Sequence, residues 1–287
     1  MDQAEGLRSS RTAGPRTEPA IQAIAVASGK GGVGKTNVVA NLALALQRRG
    51  KRVIVVDADL GLANLDTLLG LHPRATLRHV LRGECAIREA LVGGPGGIQI
   101  VPAASGFEEL TQLTQAQRLV ILDQVDSLDG AFDVLLIDTG AGISSNVLFF
   151  ATAAQETLVV LTPEPTALTD AYALIKVLAT RYAEHNFTVL VNMARSEWEG
   201  RKAFMQLTRV TERFLQVSLR YAGSVPYDPE VPEAVRRQQP VLDLAPASPA
   251  SRAFEQLAER VLGTPAAPRP KGGLQFFFRR LLAEARA

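Results

Sequence analysis

The stretch SGKGGVGKT at residues 28–36 decides the fold, because it contains the phosphate-binding pattern GxxxxGK[ST]. It follows the apolar run IQAIAVA at 21–27 and precedes NVVANLALALQRRG at 37–50, which has the apolar periodicity of a helix. A strand, a glycine-rich loop and a helix in this order surround a phosphate with backbone N–H groups and a positive helix end. We expect Lys35 on the β- and γ-phosphates and Thr36 on Mg²⁺. The predicted nucleotide loop comprises Gly29, Lys30, Gly31, Gly32, Val33, Gly34, Lys35, Thr36 and Asn37.

Short β-branched runs alternate with longer amphipathic segments along the rest of the chain. This alternation predicts an α/β fold with a mostly parallel, doubly wound sheet flanked by helices. The last regular helix is predicted near 249–262, before Gly263. Strands are predicted near 21–27, 53–57, 98–101, 133–138, 157–162, 187–192 and 220–225.

Composition narrows the class of protein. The formal net charge is only +2, so no global field favours nucleic acid, and no specific nucleic-acid partner is expected. The single cysteine, Cys85, cannot form an internal disulfide or a paired-cysteine metal site, which fits a reducing compartment. No signal peptide and no apolar run of about 18 residues is present, so the sequence predicts a cytoplasmic protein.

Lys30 is a second lysine inside the loop, which the general pattern does not require. With it, SGKGGVGKT resembles the variant phosphate loop of the MinD/ParA ATPases, in which this lysine reaches the partner's nucleotide across a dimer interface. The resemblance implies a MinD-like domain over 21–263, ATP or ADP with Mg²⁺, slow hydrolysis and an ATP-dependent homodimer. Lys30, Lys35 and Asp59 are then the catalytic residues. The alternative for Lys30 is a solvated loop cation.

Two buried strands end in aspartate, VIVVD at 53–57 and VLLID at 134–138, which brings acids to the edge of the sheet where ligands bind. Asp138 is expected to bond a Mg²⁺-bound water. In the family pattern Asp59 places the attacking water, while Asp57 either reaches the metal shell or bonds loop amides. The predicted metal set is Thr36, Asp57, Asp59 and Asp138. Gly140 stands where MinD and ParA proteins usually have proline, so IDTGAGIS departs from the family pattern.

Two later loops, LVNMARS at 190–196 and SVPYDPE at 224–230, are assigned to the base by the same resemblance. Asn192 would contact adenine through its amide, and the second loop through backbone from Pro226 to Asp228. An amide offers a donor and an acceptor, and no NKxD-type acid for guanine is present, so ATP is favoured over GTP. The alternative is that Asn192 caps the following turn.

Longer strings narrow the resemblance to the flagellar-number regulators called FlhG or FleN. Among them are DADLGLANLDTLLGL, EPTALTDAYALIKVL and GRKAFMQLTRVTERFLQV. The resemblance implies control of flagellar number and placement. It also implies as partners the signal-recognition-particle-type GTPase FlhF, the transcription activator FleQ and flagellar switch-complex proteins.

The N-terminal residues 1–20 have the composition of a mobile arm. The string DQAEGLR at 2–8 resembles the element with which these regulators stimulate FlhF. Its arm residues are Asp2, Gln3, Ala4, Leu7 and Arg8.

At the other end, the Pro/Gly-rich stretch 264–273 is predicted to be a linker before an amphipathic helix over 274–287. The stretch 264–287 carries five basic residues and one acidic residue, which suits an anionic membrane surface. The sequence thus predicts peripheral attachment to the inner face of the cell membrane in the ATP state. The alternative is packing on its own domain. The predicted membrane face is Leu274, Phe277, Phe278, Leu281 and Leu282.

Other functions remain open at this point. A MinD-type protein that places the division site would have the same ATPase domain and membrane anchor. A ParA-type partition ATPase would instead need a basic DNA-binding surface. A nucleotide-binding scaffold without turnover is a further class, disfavoured by Asp59 and Asp138. Iron–sulfur relatives need paired cysteines, which the chain lacks.

Overall fold

The computed structural model describes residues 21–61, 64–103, 110, 112–263 and 275–277. Its strands form one sheet in the order β3-β4-β2-β5-β1-β6-β7-β8. Neighbouring strands are parallel except the antiparallel pair β3–β4, so the predicted fold class is confirmed. The strands are β1 (Gln22–Ser28), β2 (Val53–Ala58), β3 (Val92–Gly93), β4 (Gln99–Val101), β5 (Val134–Ala141), β6 (Glu156–Leu161), β7 (Asn186–Ala194) and β8 (Ser218–Pro226).

Helices cover both faces of this sheet. One face packs against α1 and α10, and the other against α4, α5, α6 and α7. The helices are α1 (Lys35–Arg48), α2 (Leu65–Leu68), α3 (Leu77–Leu81), α4 (Gln115–Asp126), α5 (Ser145–Ala153), α6 (Pro165–Tyr182), α7 (Glu197–Phe214), α8 (Glu230–Arg236), α9 (Val241–Leu244) and α10 (Pro249–Leu262).

The strand order brings the predicted site residues together. β1 is central, between β5 and β6, and the glycine-rich loop follows it directly. Asp57 on β2 pairs in register with Asp138 on β5, and Val26 on β1 pairs with the same Asp138. Because these strands are parallel, the loop and the acids meet at one carboxyl edge, the usual position of a ligand site in such sheets.

Each strand predicted from sequence is present, and α10 begins and ends as predicted before Gly263. Sequence reasoning missed β3, which is only two residues long. No helix among the residues that the structure describes is long and apolar enough to cross a membrane.

The described part of the C-terminal segment, residues 275–277, is buried against α4 and α5. The exposed fractions of Phe276 and Phe277 are 1% and 4%, and both pack into the core on that face of the sheet. The backbone N–H of Phe276 donates to the Ala153 carbonyl at 3.0 Å, and that of Phe277 to the Asp126 carboxylate at 2.6 Å.

The prediction of a helix starting at 274 is therefore wrong over these three residues. They form a turn in which Phe277 has φ 57°, outside the right-handed helical region, and the N–H groups of Phe276 and Phe277 bond the domain. Leu274, Phe278, Leu281, Leu282 and the arm residues at 2–8 lie outside the described residues.

Candidate functional site

A cavity of about 710 Å³ lies where the glycine-rich loop meets the ends of β2 and β5. It contains most of the predicted phosphate and hydrolysis residues. The lining residues are Ser28, Lys30, Gly31, Gly32, Val33, Gly34, Lys35, Thr36, Asn37, Ala58, Asp59, Leu60, Gly61, Asn64, Gly140, Ala141, Ser144, Asn146, Val147 and Met193.

Glycine is required at particular points of this loop. Gly32 and Gly34 have φ angles of 80° and 82°, in the left-handed region that glycine adopts without strain. Gly29 instead packs against α6, where an added Cβ would lie 2.1 Å from the backbone C and O of Asp170. The loop is thus shaped by its own backbone and fixed against α6.

Lys35, the first residue of α1, lines the cavity and is paired with the buried Asp138 on β5. Its Nζ lies 3.0 Å from the Asp138 carboxylate, and the two side chains are only 8% and 2% exposed. Burial raises the pKa of Asp138, and the Lys35 ammonium and the nearby Thr36 hydroxyl work in the opposite direction. The structure thereby brings Lys35, Thr36 and Asp138 together, as the sequence predicts.

The acid on β2, Asp57, and the acid just after it, Asp59, have different surroundings. Asp59 lines the cavity, and its carboxylate faces Gly140, where an added Cβ would lie 3.5 Å from Oδ1. Asp57 is buried and accepts hydrogen bonds from the backbone N–H groups of Asp59 and Leu65, at 3.1 and 3.4 Å. Burial and the neighbouring Asp138 raise the pKa of Asp57. Of its two predicted roles, these contacts support the bonding of loop amides.

Lys30 lies at the rim of the cavity and is held within its own chain. Its Nζ is 3.0 Å from the Glu164 carboxylate and 3.0 Å from the Thr166 hydroxyl, both at the start of α6. The side chains of Lys30 and Glu164 are 39% and 63% exposed, so the pair is accessible to solvent. Sequence reasoning missed Glu164 and Thr166, because the string EPT signals only a helix start.

The predicted base contacts do not line this cavity. Asp228 lines a separate cavity of about 540 Å³. Its carboxylate accepts backbone N–H bonds from Glu230 and Ala250, which lower its pKa although burial acts to raise it. Pro226 ends β8, in register with Ala194 on β7. Asn192 is buried and donates to the glycine-rich loop itself.

Met193 follows Asn192 on β7, and it is Met193 that lines the cavity. Sequence reasoning did not select it. It has φ 57° and is 40% exposed, and its Cε would lie 3.1 Å from a Cβ added at Gly34. An unusual backbone angle cannot be read from the string LVNMARS, so no sequence signal pointed to it.

The described side chains of this cavity could supply only part of the coordination shell of a divalent metal ion. Among the described residues, no three His, Cys, Asp or Glu side chains form a group that could hold a metal ion. The Thr36 hydroxyl beside Asp138 fits the small protein contribution to a Mg²⁺ ion whose other ligands are phosphate oxygens and waters. The donor set therefore fits Mg²⁺ that arrives with a nucleotide.

A second cavity, of about 760 Å³, forms a groove between α6 and α7. It is mainly apolar, with Trp198 at its edge 69% exposed. The lining residues are Pro163, Pro165, Leu168, Thr169, Tyr172, Trp198, Glu199, Lys202, Ala203, Gln206, Leu207, Arg209 and Val210.

Comparison with known families agrees with this geometry. The family described as the CobQ/CobB/MinD/ParA nucleotide binding domain matches residues 24–241. The chain belongs to this family. It is accordingly a P-loop ATPase, which confirms the predicted family and enzyme class.

Individual relatives narrow the similarity to flagellar regulators. The chain is 50% identical over 262 residues to the antiactivator FleN of Pseudomonas aeruginosa, covering 91% of this chain and 94% of the relative. It is 35% identical over 263 residues to the flagellum site-determining protein YlxH of Helicobacter pylori, covering 90% and 89%.

Among solved structures, the chain resembles the septum site-determining protein MinD of Pyrococcus horikoshii, complexed with Mg-ADP. The TM-score is 0.70 at 30% identity, covering 86% of this chain and 99% of that protein.

Proposed function

We propose that this protein is an ATP-driven switch that regulates flagellar number and placement. The observation that carries the proposal is the cavity lined by Lys35 and Thr36, with the buried Asp138 paired to Lys35 and a second lysine, Lys30, at the rim. The 50% identity to an antiactivator FleN supports the flagellar role over division-site placement or DNA partition.

ATP and Mg²⁺ are the proposed ligands of the cavity, in keeping with the Mg-ADP bound by the related MinD. Backbone N–H groups of the glycine-rich loop would hold the phosphates, with Lys35 neutralising the β- and γ-phosphate charge. Thr36 would coordinate Mg²⁺, and Asp138 would bond a metal-bound water. The ion would supply further neutralisation of the charge on the transferred phosphoryl group.

Asp59 is the proposed residue that places the attacking water. Its carboxylate is in the cavity, facing Gly140, whereas Asp57 is committed to two loop N–H groups. In phosphoryl transfer the protein acts mainly by positioning and by electrostatics. The proposed hydrolysis is slow, as a switch requires.

Lys30 would act in trans. At the rim it is accessible, and its contacts with Glu164 and Thr166 must break before it can reach a partner's nucleotide. ATP binding and dimerisation then become one event, because each nucleotide supplies the negative charge that draws the lysine of the other subunit.

Membrane attachment is proposed for the ATP state, through the segment after residue 263. Residues 275–277 are docked on α4 and α5, so the proposal requires that ATP release this segment. Two released copies on one dimer bind a membrane more strongly than a single copy does, because the second attachment is intramolecular.

Partners other than a second copy are proposed for two places. The arm at 2–8 is assigned to FlhF, and the groove between α6 and α7 to a regulator such as FleQ or a switch-complex protein. The groove is apolar and exposed at Trp198, as partner surfaces commonly are. One wall of the groove is α6, and Glu164 lies at the N-terminal end of that helix. Loss of the bond between Lys30 and Glu164 would therefore change a contact at one end of the groove.

The proposal is tested with wild type, Lys30→Ala and Asp59→Ala, by light-scattering mass and liposome co-sedimentation in Mg²⁺ with ADP or ATP. Wild type is expected to double its mass and to move onto anionic liposomes with ATP only. Lys30→Ala should do neither, and Asp59→Ala should remain a dimer long after wild type has hydrolysed its ATP. A wild type that binds ATP but stays monomeric and off liposomes refutes the switch.

The alternatives are tested by separate measurements. Stimulation of FlhF GTP hydrolysis that is lost on deleting residues 2–8 supports the flagellar role. DNA binding that falls steeply with salt would instead support a partition ATPase.

A further inference from the structure

Asn192 joins the end of β7 to the glycine-rich loop. Its Nδ2 donates a hydrogen bond to the Val33 carbonyl at 2.8 Å, across 159 residues of sequence. The residue is only 6% exposed, so water does not readily replace this bond. The sequence assigns this amide to the base, whereas the structure uses one of its hydrogens to hold the loop.

The contact fixes the orientation of one peptide unit. In a planar trans peptide the C=O and the following N–H point in opposite directions. With the Val33 carbonyl bonded to Asn192, the Gly34 N–H points away from Asn192. Val33 and Gly34 both line the cavity proposed for the phosphates.

Close packing reinforces the same contact. A Cβ added at Gly34 would lie 2.5 Å from the Asn192 Nδ2, and Gly34 has φ 82°. The amide therefore lies directly against the loop backbone at the position where the loop turns into α1. A rotated Val33–Gly34 peptide would lose its hydrogen bond from Asn192 and turn a carbonyl dipole toward the bound anion.

We infer that Asn192 is a positioning residue for the phosphate loop: it holds the Val33–Gly34 peptide so that the Gly34 N–H is available to a phosphate. This inference rests on the proposed nucleotide site and adds to it a residue that acts on the phosphates through the backbone. If Asn192 only contacted the base, its replacement would not change the binding of a polyphosphate that has no base.

The test compares a ligand that has a base with one that lacks it. Binding of Mg-ADP and of Mg-tripolyphosphate is measured by calorimetry for wild type, Asn192→Ala and Asn192→Leu. The control is Asn186→Ala, which changes an exposed asparagine at the opposite end of β7. The leucine variant keeps the approximate size of the side chain and adds no charge, but it cannot donate to Val33, and thermal unfolding verifies that each variant is folded.

Both Asn192 variants should weaken the two ligands by a similar factor of about ten, and the control should match wild type. Loss of Mg-ADP affinity with unchanged tripolyphosphate affinity would overturn the inference and make Asn192 a base contact. A lower melting temperature with both affinities unchanged would make it merely structural. If wild type binds neither ligand, it is the proposed function that fails.

Discussion

Replacing Glu164 by glutamine should make ATP-dependent dimerisation easier. In the structure Glu164 and Thr166 hold Lys30 within its own subunit, at 3.0 Å each. The proposed dimer needs Lys30 at the partner's nucleotide, so these contacts compete with assembly. Glu164→Gln removes the charge that attracts Lys30 and leaves the lysine itself intact.

The magnitude follows from the exposure of the pair. Side chains 39% and 63% exposed are screened by water, so each contact is worth about 0.5–1 kcal/mol. A dimer releases two copies of Lys30, which gives about 1–2 kcal/mol per dimer. That energy corresponds to a roughly five- to thirtyfold lower dimer dissociation constant.

Sedimentation velocity over a series of protein concentrations, with Mg²⁺ and a non-hydrolysable ATP analogue, measures this constant. Glu212→Gln makes the same charge change at an exposed position on α7 and is the control. The advantage of Glu164→Gln should shrink at high salt, since exposed ion pairs are screened. If Glu164→Gln and Glu212→Gln both dimerise as wild type does at low salt, the competing role of Glu164 is wrong.

Three further predictions concern the docked segment, the α8–α10 junction and the loop. Phe276→Ala should raise liposome binding without ATP, because it removes a buried side chain that docks the segment and leaves the predicted membrane face intact. Phe214→Ala changes an exposed phenylalanine and should not raise it. Asp228→Asn should cost about 1–3 kcal/mol at neutral pH in urea unfolding, since it loses a charged acceptor of two backbone N–H groups. The pKa of Asp228 is lowered in the folded protein, so the stability advantage of wild type over Asp228→Asn is full above the unfolded pKa of about 3.9. This advantage is lost as the pH falls through the lower folded pKa. An advantage that persists at low pH contradicts the prediction. Gly29→Ala should abolish nucleotide binding in calorimetry, because its Cβ would overlap the α6 backbone, whereas Gly93→Ala, with open space around it, should bind normally.

The sheet and the phosphate loop were predictable because their signals are local. Strands such as VIVVD are continuous apolar runs, and parallel pairing delivers their terminal acids to one edge. The convergence of Lys35 with Asp138 follows from that rule together with the loop motif. The two-residue strand β3 was not predictable, since two residues cannot show a period of two.

The remaining features depend on contacts between distant parts of the chain. Lys30 meets Glu164 across 134 residues, Asn192 meets Val33 across 159, and Phe277 meets Asp126 across 151. The apolar pattern after residue 273 predicts a helix, but it cannot show that Phe276 and Phe277 are buried in a turn. Burial against α4 and α5 outweighs local helical preference there.

The pairing of Lys35 with Asp138 gives a physical reason for coupled binding of nucleotide and Mg²⁺. If Lys35 turns toward a phosphate, Asp138 loses its cation while only 2% of its side chain is exposed. An unpaired buried carboxylate costs about 3–5 kcal/mol, comparable to a thousandfold in affinity. Asp138 would escape that cost by bonding a water of an arriving Mg²⁺ ion, which the nearby Thr36 hydroxyl would help to hold. Nucleotide without Mg²⁺ should therefore bind far more weakly than the Mg²⁺ complex, because the carboxylate, and not only the phosphates, needs the ion.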